Sequence, residues 1–576
     1  MQPDLRGSAL ESSKLKVIFL VGLDCASTRQ SIEAVCRLPG VEPLGVIVSD
    51  ERLSLSGRLK RLFRRTRERG WSYAVHRVLE AIASTTTILV NETAVSQAEV
   101  SGVLRQAFPD RCFSIADIGR KYGIKIEAAE NLNSPDAVRV LKESGADLGI
   151  ALGIRGLVAN VATIPVQGWI TVQEGVASEG GGVALGFWEL YDGASSVEVS
   201  VRLTKSDAGR GDVIARSSVT IQEWETPDSL LEKLNDEASH VLVSAVTLIR
   251  DGKAAPLQRD MEEHKPRREP TREEVMLLQK RLPHWIRNSA VSTIVRNLYV
   301  LFVYYSGIYF VVRKCHRLSG SRAAIILYHR VNDYAKDVLT VDCKTFAAQL
   351  LAISQRYSVS STAELVDQLR AGRPLRPTTV AIHFDDCYQD ILMNGAPIMK
   401  ACGVPACAFI NSGFVDTNRT FAHDAESPYS FPMLRSSDVQ TWVDMGFEVG
   451  AHTINHVDLG TCPVEKAGPE IIQCGVGLEK LIGKPVDLFA IPFGKPHHIR
   501  AETLEIIQSS SYVANFSAHG GYIDSRTDLF DIPRGGAHYE SSPVYCLLQI
   551  EGLTLSRLAG KVRGGWRRPA RVATEV

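Results

Sequence analysis

Two short segments hold the residues best suited to chemistry: His383-Phe384-Asp385-Asp386-Cys387 and His452-Thr453-Ile454-Asn455-His456, with 65 positions from Cys387 to His452. Together they offer two adjacent carboxylates and two imidazoles. One carboxylate and two imidazoles suit a hard-to-borderline divalent ion such as Zn²⁺, and three ligands leave a tetrahedral ion one position for water. An open position separates catalytic from structural zinc, so the pattern points to hydrolysis. The competing reading is an aspartate pair at a helix start plus two surface histidines.

Apolar strands must deliver both segments. Thr378-Thr379-Val380-Ala381-Ile382 precedes the aspartates, and Gly446-Phe447-Glu448-Val449-Gly450 precedes the histidines. Polar residues gathered just past strand ends are where parallel α/β barrels and sheets assemble active sites.

With Leu327-Tyr328-His329-Arg330-Val331 and Phe489-Ala490-Ile491-Pro492-Phe493-Gly494, these segments resemble the polysaccharide deacetylases of the fourth carbohydrate esterase family. The resemblance implies a carboxy-terminal distorted (β/α) barrel over residues 321–555. It also implies Asp385 as catalytic base, and Asp386, His452 and His456 as ligands of Zn²⁺ or another divalent metal. The implied reaction is attack of an activated water on the N-acyl group of an amino sugar, with the metal and a backbone N–H stabilising the oxyanion. The departing amine needs a proton, and His519 and His538 are the candidates. Two departures from the family pattern stand out. His383 and Cys387 flank the Phe-Asp-Asp core where Thr and Gly are usual, and Cys387 is expected to be a packed small residue, since no neighbour is evidently placed to lower its thiol pKa. The arginine that orients the base is replaced by Ala490, and Arg534 is the candidate to take over that role.

At 576 residues the chain is long enough for two or three domains. Its 45% hydrophobic content and its balance of 65 basic against 65 acidic residues describe a globular protein with ample core. No nucleic-acid partner is indicated by that balance. Eleven cysteines without regular spacing argue for a reducing compartment. Met1 to Ser13 is polar and the apolar run Val17 to Gly22 is short for a signal peptide, so a cytoplasmic location is expected, with peripheral attachment to the inner membrane face as a variant. That location favours an amino-sugar substrate carried on a nucleotide or a lipid.

Toward the amino terminus, apolar strands such as Lys16-Val17-Ile18-Phe19-Leu20-Val21 and Leu44-Gly45-Val46-Ile47-Val48 alternate with helical stretches. This is the pattern of an α/β doubly wound, Rossmann-like domain. Residues 14–258 resemble the formyltransferase fold used on methionyl-tRNA and amino sugars. The catalytic residues of that family are not met. Thr171-Val172-Gln173 stands where an Asn-x-His pair belongs, and the essential Asp falls on Gly209, with Asp207 and Asp212 offset. Gln and Gly cannot replace a proton-donating histidine and its orienting aspartate, so the domain is expected to be non-catalytic. The alternative is an active formyl or acyl transferase using shifted residues. For the whole chain, the alternative to a hydrolase is a binding or scaffold protein with two decayed sites, against which the intact Asp385, Asp386, His452 and His456 argue.

Residues 259–320 read as a connection. Arg259 to Glu274 is charged and contains Pro266 and Pro270, as expected of an exposed linker. The uncharged run Leu298 to Val312 has 15 residues, about 22 Å as a helix against a hydrocarbon core of roughly 30 Å. Its four tyrosines, with Arg296 before and Arg313-Lys314-Cys315-His316-Arg317 after, suit peripheral membrane contact through residues 293–317. The other reading is a buried helix. The basic stretch Arg58 to Arg69 is expected to be a solvated helix face, with anionic lipid or a nucleotide diphosphate as its alternative partner. Gly180-Gly181-Gly182 is expected to be a turn.

Overall fold

The computed structural model describes residues 14–49, 66, 71–129, 134–154, 161, 163–175, 185–204, 211–257, 267–268, 270–282, 290–318, 322–373, 375, 378–537 and 541–554. The basic stretch, apart from Thr66, lies outside the described residues, as do the Gly180–Gly182 turn, Asp207, Gly209 and His538. Two compact units form: residues 1–64 with 110–285, and residues 65–109 with 286–576. The expected 14–258 span is thus interrupted by a segment that belongs to the other unit.

In the first unit, a seven-stranded sheet has the order β3-β2-β1-β4-β5-β6-β7. Its strands are β1 (Leu15–Val21), β2 (Val41–Ser49), β3 (Lys125–Ala129), β4 (Leu148–Leu152), β5 (Trp169–Glu174), β6 (Ser196–Thr204) and β7 (Asp212–Thr220). The first five are parallel, and β6 and β7 add an antiparallel hairpin. Near-continuous burial of β1 and β4 reflects helices on both faces. The order reverses between β1 and β4, the switch point of a Rossmann-like sheet. There the loops nearly touch: a Cβ on Gly22 would meet the Gly153 carbonyl oxygen at 2.3 Å. Of the stretch expected to be an exposed linker, only residues 267–268 and 270–274 are among those described, and its end enters a helix. Thr271 caps helix Arg272–Arg281 in a reciprocal capping box with Glu274, and Leu278 packs into the core.

The second unit is a parallel barrel. Its strands are β8 (Ala323–Tyr328), β9 (Arg330–Val331), β10 (Thr340–Val341), β11 (Ser358–Val359), β12 (Thr379–Asp385), β13 (Cys407–Ile410), β14 (Glu448–Ala451), β15 (Leu488–Ala490), β16 (Ala514–Ser517), β17 (Ile532–Pro533) and β18 (Gly535–Gly536). The sheet order is β17-β16-β15-β14-β13-β12-β8-β18. Because only Arg534 separates β17 from β18, this one segment pairs with both margins of the sheet and nearly closes it. Inside, the His383 ring packs against Phe409 and Phe516, with centroids at 5.0 and 4.9 Å.

Helices Trp71–Glu92 and Gln97–Ala107 also belong to this unit. The latter, capped by Ser96 and Glu99, packs on helices Cys343–Ser354 and Ala396–Cys402 outside the barrel. The apolar run expected as one element is two helices, Ala290–Tyr305 and Ile308–Leu318, bent by 60°. Gly307 makes the bend, with a φ of 83° that favours glycine. No single helix among the described residues is long and apolar enough to cross a membrane.

Candidate active site

β12 ends on Asp385, and the backbone then turns through Asp386 at a φ of 73°. The turn sends two consecutive carboxylates to different partners. Asp385 receives both ends of the Arg534 guanidinium, Nη1 to Oδ1 at 2.6 Å and Nη2 to Oδ2 at 2.7 Å. Arg534 Nε donates to the Ser517 carbonyl oxygen at 2.9 Å, so this fully buried cation is satisfied on both sides. Burial acts to raise the Asp385 pKa, but Arg534, aided by His452, outweighs it and holds the carboxyl below its usual range.

Asp386 gathers the histidines. His456 Nε2 lies 3.3 Å from Asp386 Oδ1, and His452 Nε2 lies 3.9 Å from the same atom. The ligand atoms of Asp386, His452 and His456 all fall within 4.8 Å of one another. His452 Nδ1 is 2.7 Å from the Ala490 carbonyl oxygen, to which it donates, leaving Nε2 as the lone-pair nitrogen facing Asp386. Asp386 Oδ1 is buried without a hydrogen-bond partner. An orphaned carboxylate oxygen beside two imidazole nitrogens fits a divalent cation, whose donors these would be.

The histidine loop is held in an unfavourable backbone. Thr453 and His456 have φ of 61° and 55°. Asn411 Nδ2 donates to the Thr453 carbonyl at 3.2 Å, and Glu470 accepts from the Asn455 backbone and side-chain amides at 2.8 and 2.6 Å. Such bonds hold left-handed residues in place where a binding site needs them. Phe493, at φ 62°, packs its ring 4.6 Å from His456.

Neither of the other cysteine and histidine candidates joins this cluster. His519 is exposed, its Nδ1 3.0 Å from the Gly520 carbonyl oxygen and its Nε2 3.0 Å from Asp531 Oδ1. Cys387 is buried, and burial pushes its thiol well up, as for an inert packed residue. All eleven cysteines are without disulfide partners.

Two histidines near the aspartates had no role in the sequence reading. His423 Nε2 lies 3.9 Å from Asp386 Oδ2 and 2.9 Å from the Tyr388 hydroxyl. His329, just past β8, is half-buried; burial lowers its pKa, outweighing Asp386 and Asp385, which raise it. Its neighbour Arg330 is structural: it donates to Asp424 at 2.7 Å and stacks 3.8 Å from the Phe431 centroid, fixing the loop that carries His423. Adjacency to Asp424 gave no sequence signal, because that loop has no periodic pattern.

In the first unit, Gln173 Oε1 accepts from Arg202 Nε at 3.0 Å, and Asp212 begins β7. An amide pinned by a guanidinium has no proton-transfer capacity.

The parallel barrel thus nearly closes on an arginine–aspartate pair that lies beside an Asp-His-His cluster suited to a divalent cation. Residues 372–514 match the family model described as polysaccharide deacetylase, so the barrel unit carries a domain of that family. The amino-terminal half is similar to formyltransferases. The methionyl-tRNA formyltransferase of Bacillus cereus (strain B4264) is 25% identical over 175 residues, 29% of this chain and 55% of the relative. That of Bacillus thuringiensis (strain Al Hakam) is 25% identical over 144 residues, 25% of this chain and 46% of the relative. The chain spans about half the length of these curated relatives. Among solved structures, the carboxy-terminal half is similar to the Streptococcus pyogenes deacetylase PplD, with TM-score 0.35, 19% identity, and coverage of 40% of this chain and 99% of that one. Phosphoribosylglycinamide formyltransferase from Anaplasma phagocytophilum has TM-score 0.28, 13% identity, and coverage of 45% and 100%.

Proposed function

We propose that the barrel unit removes an N-acyl group, most simply acetyl, from an amino sugar or glycan precursor, with Asp386, His452 and His456 holding a divalent cation such as Zn²⁺. The observation that carries this reading is the ionised, two-point-held Asp385 directly beside the orphaned oxygen of Asp386. Asp385 Oδ2, 3.9 Å from His452 Nε2, is placed to take the proton of a water attacking the acyl carbon. Arg534 keeps that carboxylate charged and fixes its plane. When bound, the cation supplies the Lewis acidity toward water and acyl oxygen that so weak a base requires. As the carbon–nitrogen bond breaks, the amine takes a proton, and His519, His538 and His329 are the imidazoles to be tested as its source. The acid and the free amine are the products.

Acetate release from N-acetylglucosamine oligomers, nucleotide-linked N-acetylglucosamine and lipid-linked N-acetylglucosamine, incubated with the full chain and Zn²⁺, tests the reading. Release by the parent protein and its loss in Asp385→Asn support it. No release from any carrier, with metal bound, contradicts it.

For the amino-terminal unit we propose binding without catalysis, supported by the guanidinium-held Gln173 at a position where a proton donor is required. Formyl transfer from a formyl-folate donor to an amino sugar by a chain carrying Asp386→Ala would overturn this.

A further inference from the structure

Three helices of the barrel unit leave apolar faces uncovered. Helices Trp71–Glu92 and Ala290–Tyr305 run parallel: Asn297 Nδ2 donates to Thr87 Oγ1 at 3.0 Å, and the Tyr305 and Thr93 hydroxyls lie 3.3 Å apart. An amide and hydroxyls thus join the two helices, alongside the buried Val90, Val300 and Val303, and Asn297 is 4% exposed. Apolar side chains point the other way. Trp71, Val75, Val78, Ile82 and Leu89 recur at helical spacing and are 42–76% exposed. Val291, Val295, Leu298 and Phe302 do the same, at 52–63%. On the third helix, Ile308, Val311 and Leu318 continue the apolar surface. An exposed apolar surface of this extent, beyond the apolar side chains these helices already bury, marks an interaction site.

The surface is firmly attached to the barrel. Tyr309 is fully buried with its hydroxyl 3.1 Å from that of Tyr357, which donates to Glu551 at 2.7 Å. His316 meets the other Glu551 oxygen at 2.6 Å, and the Tyr299 hydroxyl donates to the Leu553 carbonyl at 2.8 Å.

Charge indicates what covers it. Residues 290–318 contain Arg296, Lys314 and Arg317, besides Arg313 turned onto the Tyr357 ring, and no acid. A second copy of the same face would bring these cations together with only Glu80, already paired with Arg77, and Glu92 of helix Trp71–Glu92 to meet them, whereas an anionic lipid surface complements them. Trp71 and Tyr305 are the amphipathic aromatics that favour the headgroup level.

We propose that these three helices seat the catalytic unit on an anionic bilayer, lying in the interface rather than crossing it. The arms of the pair, 16 residues before Gly307 and 11 after it, are each too short to span alone, and the 60° bend between them suits a pair lying along the surface. This placement stands independently of the substrate reading.

The test is co-sedimentation of the full chain with vesicles of phosphatidylcholine alone or mixed with phosphatidylglycerol. Binding to the mixed vesicles, weakened by salt, is expected. Leu298→Glu combined with Phe302→Glu should lower it at least about tenfold with an unchanged melting temperature. Val78→Glu with Ile82→Glu, on the neighbouring helix, repeats the test should the first pair fail to fold. Lys314→Gln with Arg317→Gln should weaken binding to anionic vesicles while leaving folding intact. Absence of vesicle binding by the parent, or undiminished binding by the glutamate variants, overturns the proposal. A dimer lost in those variants without vesicle binding would also overturn it, assigning the face to a second copy.

Discussion

Arg534 and Asp385 are held face to face, two guanidinium nitrogens 2.6 and 2.7 Å from two carboxylate oxygens, although 149 positions separate them in the chain. Arg534 sits at the single break between β17 and β18, the segment that joins the two margins of the barrel sheet. Closing the barrel and orienting the carboxylate are therefore one structural event.

Arg534→Lys keeps the charge but loses the two-point grip, and should lower kcat by about tenfold to a hundredfold with metal content unchanged. Arg534→Ala should lower it further and also destabilise the fold by about 3–5 kcal/mol, since a buried carboxylate is left unpaired. Steady-state kinetics with metal analysis on the same samples check this; wild-type turnover in the lysine variant would show that Asp385 needs no such grip.

His519 and His329 separate by position. The ring nitrogens of His519 face Gly520 and Asp531, while His329 lies within electrostatic reach of both aspartates. Loss of the donor imidazole should reduce kcat by about a hundredfold or more and loss of the other by less than about threefold, so His519→Ala and His329→Ala tell the two apart. Full activity in both variants would leave the proton-donor role to His538.

Asp390 makes stability fall with pH. Burial pushes its carboxyl up to about 6, against the opposing hydrogen bond from Asn332 at 2.6 Å. Between the unfolded value near 4 and the folded value, the native state binds more protons than the unfolded one. Its contribution is thus fully present below about 4 and lost as pH rises through about 6, on the order of 3 kcal/mol in total. Asp390→Asn should flatten the denaturation midpoint across that window. A midpoint in the parent that already stays level from pH 4 to 7, with the variant indistinguishable from it, would contradict the assignment.

Much of the site could be read in the sequence because its parts are local. Asp385-Asp386 and His452 to His456 each follow a strand directly, so a contiguous pattern carries both the residues and their delivery. His423 was hidden because its place depends on Arg330 reaching Asp424, a contact across 94 positions. Residues 65–109 read as part of the doubly wound region, since apolar periodicity reports that a helix has a buried face but not which core buries it. Asn297, just before the apolar run Leu298 to Val312, meets Thr87 across 210 positions, a contact that the periodicity of neither helix reports.

The central claim is that Asp386, His452 and His456 hold a divalent cation, and the most direct measurement is the metal content of the purified full chain and of Asp386→Ala. About one ion per chain in the parent, and little in the variant, is the predicted result. Equal metal in both, or none in either after exposure to Zn²⁺, would contradict it.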